Sequence, residues 1–273
     1  MDYQQERLDQ LHKTLMEIMD YVAQVCEENQ IPYCLIGGSA LGAVRHQGFI
    51  PWDDDLDIGV LREDYDRLLN ILRNANHPLY VLQNEDTEPG YFLSFSKVRK
   101  NGTVFRESIA PDAYNHNGIY IDIFPIDTTD RIDSLRCKLI GSWTLYISHV
   151  LRVRNCSAFY RNKGKLKYFC EQLLCLPLKP FPNRALLKHQ ANIMQKNNRR
   201  EKNYAVMFSD TYHWKVGALP YDVYFPVKKV AFEDREYAVC GQVGKYLSQV
   251  YGNYMELPPV EKRHTHEPLE LKF

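Results

Sequence analysis

Residues 51–59 of this 273-residue chain read PWDDDLDIG, and this stretch decides the fold. Its alternation of acidic and apolar residues predicts a strand. Successive side chains of a strand point to opposite faces, so Asp53, Asp55 and Asp57 would share one face while Asp54 turns away. Three like charges on one face repel each other, and a divalent cation is the simplest ligand that turns this repulsion into attraction. The stretch therefore predicts a metal site.

Composition excludes several classes of protein. A hydrophobic fraction of 45% and a charged fraction of 25% are typical of a soluble globular protein. The first residues lack the apolar core of a secretory signal, and residues 139–151 are too short to span a bilayer. Seven scattered cysteines without a CxxC pair indicate reduced thiols in a cytoplasmic protein rather than a zinc site.

The formal net charge of zero conceals a strongly basic segment. Residues 131–202 carry 16 lysines and arginines against three acidic residues. Such an imbalance predicts a surface that faces an anionic partner. The competing interpretation is a set of helices whose basic residues only face solvent.

Hydrophobic periodicity divides the chain into three parts. Residues 1–130 are predicted to form a mixed α/β core, residues 131–203 a basic and mostly helical region, and residues 204–273 a mixed α/β segment that packs on the core. Within the core, helices are expected at 5–29, 40–46 and 62–75, with strands at 33–36, 80–83, 92–100, 103–106 and 118–124. Asn101 and Gly102 between two of these strands predict a hairpin.

A further carboxylate completes the predicted metal site. Asp122 lies alone in the apolar strand pattern IYIDIF, and a buried aspartate needs a cation or hydrogen-bond donors nearby. It would be the third ligand, contributed by a neighbouring strand; the alternative is a strand-end residue that accepts backbone hydrogen bonds. Oxygen ligands without histidine or cysteine favour Mg²⁺ or Mn²⁺.

A glycine loop precedes the acidic stretch. Gly37, Gly38 and Ser39 lead into the predicted helix 40–46, with Ser39 as its N-cap, and backbone amides in such a position can hold a phosphate. Alone, the three residues are as consistent with a plain turn. Here only one short predicted helix separates them from the metal site. They would therefore place a phosphate-binding turn beside a cation, which is the arrangement that phosphoryl transfer needs.

Three pairs of basic residues are further candidates for substrate binding: Arg45 with His46, Lys97 with Arg99, and Arg263 with His266. The first pair could bind phosphate or be a helix C-terminal charge pair. The second pair shares one face of a strand, either over a bound diphosphate or exposed to solvent. The third pair belongs either to a site or to an undistinguished surface.

The glycine loop, Asp55, Asp57 and Asp122 together resemble the nucleotidyltransferase superfamily of DNA polymerase β type. More narrowly, residues 36–57 resemble the LicD family, and residues 62–65, 118–125 and 251–263 match it further. This family includes bacterial phosphocholine transferases and, more distantly, the fukutin-related ribitol-phosphate transferases. The resemblance implies a polymerase β-like nucleotidyltransferase core with a helical basic insertion.

The resemblance also implies an activity: transfer of phosphocholine from CDP-choline to a sugar hydroxyl of a cell-surface glycan, such as teichoic acid, with release of CMP. Alternatives are another donor, CDP-ribitol or CDP-glycerol, and a non-catalytic nucleotide-binding relative. Nucleic acid is not an expected partner. By motif, Asp55, Asp57 and Asp122 would bind the metal, with Asp122 also a candidate base, Asp53 would support them, and the glycine loop would contact the donor phosphates.

Residues 165–184 mix apolar and basic side chains in the manner of a membrane-surface helix. The LicD family's acceptor glycans are commonly assembled on lipid carriers, so the resemblance favours peripheral attachment at the cytoplasmic face of a membrane. The alternative is a basic helix that caps the catalytic core.

Overall fold

A computed structural model describes residues 3–107, 114–162, 164–198, 201–209, 213–263 and 268–273. The helices are α1 (Tyr3–Glu28), α2 (Gly37–Arg45), α3 (Arg62–Asn74), α4 (Leu135–Asn155), α5 (Ser157–Asn162), α6 (Lys165–Cys175), α7 (Asn183–Met194), α8 (Tyr221–Tyr224) and α9 (Val243–Tyr251). The strands are β1 (Tyr33–Leu35), β2 (Asp57–Leu61), β3 (Tyr80–Gln83), β4 (Ser96–Lys100), β5 (Val104–Arg106), β6 (Tyr120–Thr129), β7 (Tyr204–Val206), β8 (Leu219–Pro220), β9 (Lys228–Phe232), β10 (Arg235–Val239) and β11 (Glu270–Lys272). Short 3₁₀ turns lie at Leu176–Leu178, Gln195–Asn197 and Val260–Lys262.

Among the described residues, nine strands form one mixed sheet in the order β3-β4-β6-β2-β1-β10-β9, with β7 paired to β6 and β8 to β7. The pairs β2–β6 and β1–β10 are parallel, and the other pairs along this order are antiparallel. Strands β5 and β11 form a separate antiparallel pair. The prediction of a mixed α/β fold is confirmed.

Helix α1 supplies one wall of the main core, which surrounds the sheet. Leu11, Leu15, Ile18 and Val22 recur at helical spacing and are at most 2% exposed. Strands β9 and β10 pack into the same core and extend the sheet beyond β1. Residues after 204 therefore contribute to the central sheet, while the proposed domain boundaries stay a prediction.

The basic region is mostly helical, as the sequence predicts. Its helices contribute to a second hydrophobic core, which also includes Tyr91 and Phe92. The members from the basic region include Ile147, Val150 and Leu151 of α4 with Leu186 and Leu187 of α7. None of the helices within the described ranges is long and apolar enough to cross a membrane.

Two local predictions are wrong. Strand β2 begins only at Asp57, so residues 53–56 form a loop in which strand alternation does not apply. Helix α2 begins at Gly37 with Ile36 as its N-cap, so Ser39 lies inside the first turn and does not cap it. A third differs in part: the turn at 101–102 forms, but β5 pairs with β11 and not with β4.

Candidate active site

The site is built on two neighbouring strands. Asp57, the first residue of β2, lies opposite Asp122 of β6 in the parallel register. The Asp122 amide donates to the Leu56 carbonyl at 3.0 Å, which holds the strands together at this point. Residues paired across a sheet direct their side chains to the same face. Both carboxylates therefore lie side by side at the amino ends of their strands.

The preceding loop brings three more carboxylates together. Ligand oxygens of Asp53, Asp54 and Asp55 all lie within 4.8 Å of one another. The loop is held by the Asp53 amide, which donates to the Ile50 carbonyl at 2.9 Å, and by His12 Nε2, 2.7 Å from the Asp53 carbonyl oxygen. Because no strand forms here, Asp54 does not turn away as predicted and instead joins its two neighbours.

These acids strongly affect one another. Burial raises the pKa of Asp57 well above its ordinary range, and Asp55, Asp122 and Asp53 raise it further, in that order of influence. Burial also raises the pKa of Asp122, which Lys97 opposes. Four buried or half-buried carboxylates that disfavour each other's charge, with only oxygen donors, fit a hard divalent cation.

Lys97 of β4 belongs to this cluster. Its Nζ lies 2.8 Å from Asp122 Oδ1 and 3.4 Å from the centre of the Tyr120 ring. The lysine side chain is only 4% exposed, so the ion pair is shielded from solvent. Lys97 therefore holds the Asp122 carboxylate in place from the far side of β6.

The glycine loop lies directly against the carboxylates. A methyl group added at Gly38 would lie 2.7 Å from Asp53 Oδ2, and one at Gly37 would lie 3.6 Å from Asp57 Oδ2. Gly37 also has a φ of +55°, which favours glycine. The Ser39 hydroxyl accepts a hydrogen bond from the Asp57 amide at 2.8 Å. The loop and the start of β2 are thus fixed to each other.

A basic edge flanks the loop. Arg45 donates from Nε to His46 Nε2 at 3.0 Å and from Nη1 to the Tyr254 carbonyl at 3.0 Å. Arg263 Cζ lies 4.9 Å from the centre of the Trp52 ring, and the His46 ring is 6.3 Å from that ring. Burial and, less strongly, Arg263 lower the pKa of Arg45. The structure therefore brings Arg45, His46 and Arg263 together next to the acidic loop.

The remaining two predicted substrate-binding residues are placed differently. Arg99 is 2% exposed; its Nε donates to Gln83 Oε1 at 2.6 Å and its Nη1 to the Gly118 carbonyl at 2.5 Å. This guanidinium joins β3, β4 and the segment before β6 inside the protein. His266 lies outside the described residues.

Two tyrosines of α9 complete the site and were not anticipated. Tyr246 is buried, and its hydroxyl accepts a hydrogen bond from the Gly37 amide at 2.9 Å. The Tyr251 hydroxyl lies 3.9 Å from the position of a methyl group at Gly37. They belong to the C-terminal quarter of the chain, and nothing local in the sequence connects them to residue 37.

A mixed sheet that carries clustered carboxylates beside a glycine loop defines a protein of the nucleotidyltransferase class. Residues 30–142 match the family described as LicD/FKTN/FKRP, nucleotidyltransferase domain. This part of the chain belongs to that family, and it contains the glycine loop, the acidic loop and Asp122.

Three relatives support the assignment. The lipopolysaccharide cholinephosphotransferase LicD of Haemophilus influenzae is 27% identical over 253 residues, which cover 92% of each chain. An uncharacterised protein of Rickettsia typhi is 46% identical over 206 residues, 68% of this chain and 63% of that protein. The ribitol 5-phosphate transferase FKRP of Mus musculus is 32% identical over 118 residues, 41% of this chain and 20% of FKRP.

Proposed function

We propose that this protein transfers phosphocholine from CDP-choline to a sugar hydroxyl of a cell-surface glycan, such as teichoic acid, and releases CMP. The observation that carries the proposal is the cluster formed by Asp57, Asp122 and the acidic loop against the glycine loop. The similarity to a cholinephosphotransferase over 92% of both chains supports the choice of donor.

Asp53, Asp55, Asp57 and Asp122 would hold the divalent cation, Mg²⁺ or Mn²⁺. When bound, it neutralises charge on the donor phosphate oxygens. In the glycine loop, the amides of Gly38 and Ser39 precede the first helical hydrogen bond of α2, from Ala40 to the Ile36 carbonyl. Such amides are suited to binding phosphate oxygens.

In the proposed reaction, one phosphorus–oxygen bond forms and another breaks. The oxygen of the acceptor hydroxyl forms a bond to the phosphorus that carries choline, the bond from that phosphorus to the bridging oxygen breaks, and CMP leaves with this oxygen. The hydroxyl proton passes to Asp122, whose raised pKa and fixed position suit a general base. Arg45, His46 and Arg263 would bind the anionic nucleotide or the glycan at the edge of the site.

CDP-ribitol is the main alternative to CDP-choline as the donor. The similarity to the ribitol 5-phosphate transferase FKRP favours CDP-ribitol as the alternative, with CDP-glycerol related to it chemically. The same carboxylates would act with each donor, because the bond that breaks is a phosphoanhydride bond in all three. A non-catalytic nucleotide-binding relative would have little reason to keep four carboxylates in mutual repulsion.

The test is CMP release from purified protein with Mg²⁺ and a teichoic-acid or lipopolysaccharide acceptor, with CDP-choline, CDP-ribitol or CDP-glycerol as donor. We expect CDP-choline to give CMP and labelled glycan, and the Asp57→Asn variant to give neither. An Asp234→Asn variant, which changes a carboxylate whose side chain is 71% exposed, is the control and should match wild type.

Two results would contradict the proposal. One is an Asp57→Asn variant as active as wild type in Mg²⁺. The other is release of pyrophosphate from CTP with incorporation of the nucleotide, which would identify a nucleotide-adding enzyme.

A further inference from the structure

Helix α6 presents its apolar side chains to solvent. Leu166, Phe169 and Leu173 follow one another at spacings of three and four residues, so they share one face. They are 78%, 66% and 58% exposed, whereas Cys175 is the buried residue of this helix among those described. A helix of a globular protein normally turns such a face towards the core.

Helix α4, which is hydrogen-bonded to α6, carries a second stripe of exposed apolar side chains. Leu135, Leu139 and Trp143 are also exposed, and the Tyr146 hydroxyl donates to the Leu174 carbonyl at 2.7 Å, which joins the two helices. Ten of the seventeen large exposed hydrophobic side chains of the described residues lie between positions 135 and 181. We call the following residues the α4–α6 apolar surface: Leu135, Leu139, Trp143, Leu166, Phe169, Leu173, Leu174 and Leu176.

Positive charges border this surface. Lys165 and Lys167 at the start of α6 and Lys179 beyond its end are exposed. The acidic residue of this helix, Glu171, is 14% exposed. Its Oε2 lies 2.5 Å from Nε2 of His149, on the side of α6 that faces α4. The outer side of α6 therefore combines apolar residues with lysines, whose long stems allow the charge to reach lipid headgroups.

We infer that the α4–α6 apolar surface docks onto a lipid bilayer that contains anionic lipids. The apolar side chains would enter the boundary between headgroups and acyl chains, and the lysines would contact the anionic headgroups. A second copy of the chain is a poorer partner, because a two-fold interface through α6 would bring the lysines of both copies together. The inference does not depend on the proposed reaction.

Cys170 provides a direct test. It lies on α6 between Phe169 and Leu173 and is exposed, while the other six cysteines are buried. A polarity-sensitive fluorophore on Cys170 should shift to shorter wavelength on vesicles of equal parts phosphatidylcholine and phosphatidylglycerol, and much less on phosphatidylcholine alone. A matched control carries the fluorophore on Leu79→Cys in a Cys170→Ser background. Leu79 is an exposed residue of another region, so the emission of this probe should not shift.

Co-sedimentation with the same vesicles gives the energetic test. The triple variant Leu166→Ser, Phe169→Ser, Leu173→Ser should bind at least about tenfold more weakly, and so should Lys165→Gln, Lys167→Gln, Lys179→Gln. Both change only exposed side chains, and an unchanged thermal unfolding curve would show that they fold.

The inference is overturned if the serine variant binds vesicles as wild type does, or if the Cys170 probe does not shift. It is also overturned if wild type forms a dimer that the serine variant abolishes while neither binds vesicles. In that case the α4–α6 apolar surface joins two copies of the chain.

Discussion

Gly38 packs the glycine loop against the acidic loop. A methyl group there would lie 2.7 Å from Asp53 Oδ2, closer than van der Waals contact permits, so the carboxylate must move. We predict that Gly38→Ala lowers the rate of transfer at least about tenfold, since small displacements of positioning groups are costly in catalysis. Steady-state CMP release measures the effect.

Gly244→Ala is the control for this substitution. Gly244 lies in α9, and its added methyl group would be 3.4 Å from the Tyr254 hydroxyl, an ordinary contact. Because alanine is favoured over glycine inside a helix, we expect Gly244→Ala to stabilise the protein by about 0.5 kcal/mol and to leave activity intact. Equal activity of Gly38→Ala and Gly244→Ala would contradict the prediction.

The buried ion pair between Lys97 and Asp122 permits a second prediction at this scale. Lys97→Met leaves a shielded carboxylate without its cation, and removing one partner of a buried pair costs about 3 kcal/mol. We expect the free energy of unfolding in urea and chelator to fall by this amount. The double variant Lys97→Met, Asp122→Asn removes the orphaned charge as well and should recover most of the loss; a double variant as unstable as Lys97→Met would argue against the ion pair as the cause.

Residue positions in the site were predictable where their neighbours in sequence determine them. Asp53, Asp55, Asp57 and the glycine loop come together because one short helix joins them. Arg99 was not predictable in the same way, because Gln83 and Gly118, which hold its guanidinium, lie at least 16 residues away along the chain. Strand alternation places a side chain on a face but does not show what covers that face.

At the scale of elements, one buried ion pair connects α3 to β6. Arg62 Nε and Nη2 donate to the two carboxylate oxygens of Asp127 at 2.9 and 2.8 Å, and Asn198 Nδ2 donates to Oδ1 at 2.8 Å. Asp127→Asn keeps the shape but removes the carboxylate charge that pairs directly with the buried guanidinium. We predict a loss of about 3 kcal/mol in the free energy of unfolding.

Urea unfolding of Asp127→Asn should be compared with that of Asp86→Asn. Asp86 pairs with Arg184 at 2.7 Å, Arg73 at 3.1 Å and Lys188 at 3.5 Å. Because these three cationic side chains are 40–61% exposed, this variant should lose about 1 kcal/mol. If both variants lost the same small amount, the connection between α3 and β6 would owe nothing to the buried charge pair.

The helices were more predictable than the strand edges. The spacing of apolar residues over 5–29 and 62–75 predicts α1 and α3 to within two residues, because amphipathic periodicity is a local property. Strand β2 begins later than expected, because the acidic residues before it pair with no neighbouring strand in the described structure and repel one another. The turn at 101–102 leads β5 to β11, a partner more than 160 residues away that no local signal identifies.

For the whole molecule, the sheet is assembled from both ends of the chain. Strand β1 pairs with β2 on one side and with β10 on the other. Helix α9 comes next after β10 in the chain, and this places Tyr246 against the glycine loop. A mixed α/β class could be predicted from alternating patterns, but this strand order depends on contacts some 200 residues apart. The site is therefore a product of the complete fold, although its reactive groups are concentrated in the first 122 residues.

The acidic cluster should also set how the stability of the whole protein depends on pH and metal. Burial and the neighbouring carboxylates raise the pKa of Asp57, so the folded state binds this proton more tightly than the unfolded state does. Linkage then requires the free energy of unfolding to fall as pH rises from the ordinary aspartate pKa, about 3.9, to the raised value. Without metal, Asp57 therefore destabilises the protein at neutral pH.

The Asp57→Asn variant isolates this contribution. In chelator, its melting temperature should exceed that of wild type, by a margin that increases as the pH rises above the ordinary aspartate pKa, about 3.9. Mg²⁺ or Mn²⁺ should raise the melting temperature of wild type by several degrees, and more at higher pH because fewer protons then compete with the cation. The variant should gain much less. Parallel curves for the two proteins in chelator, together with equal gains in Mg²⁺, would show that Asp57 is neither electrostatically strained nor a metal ligand.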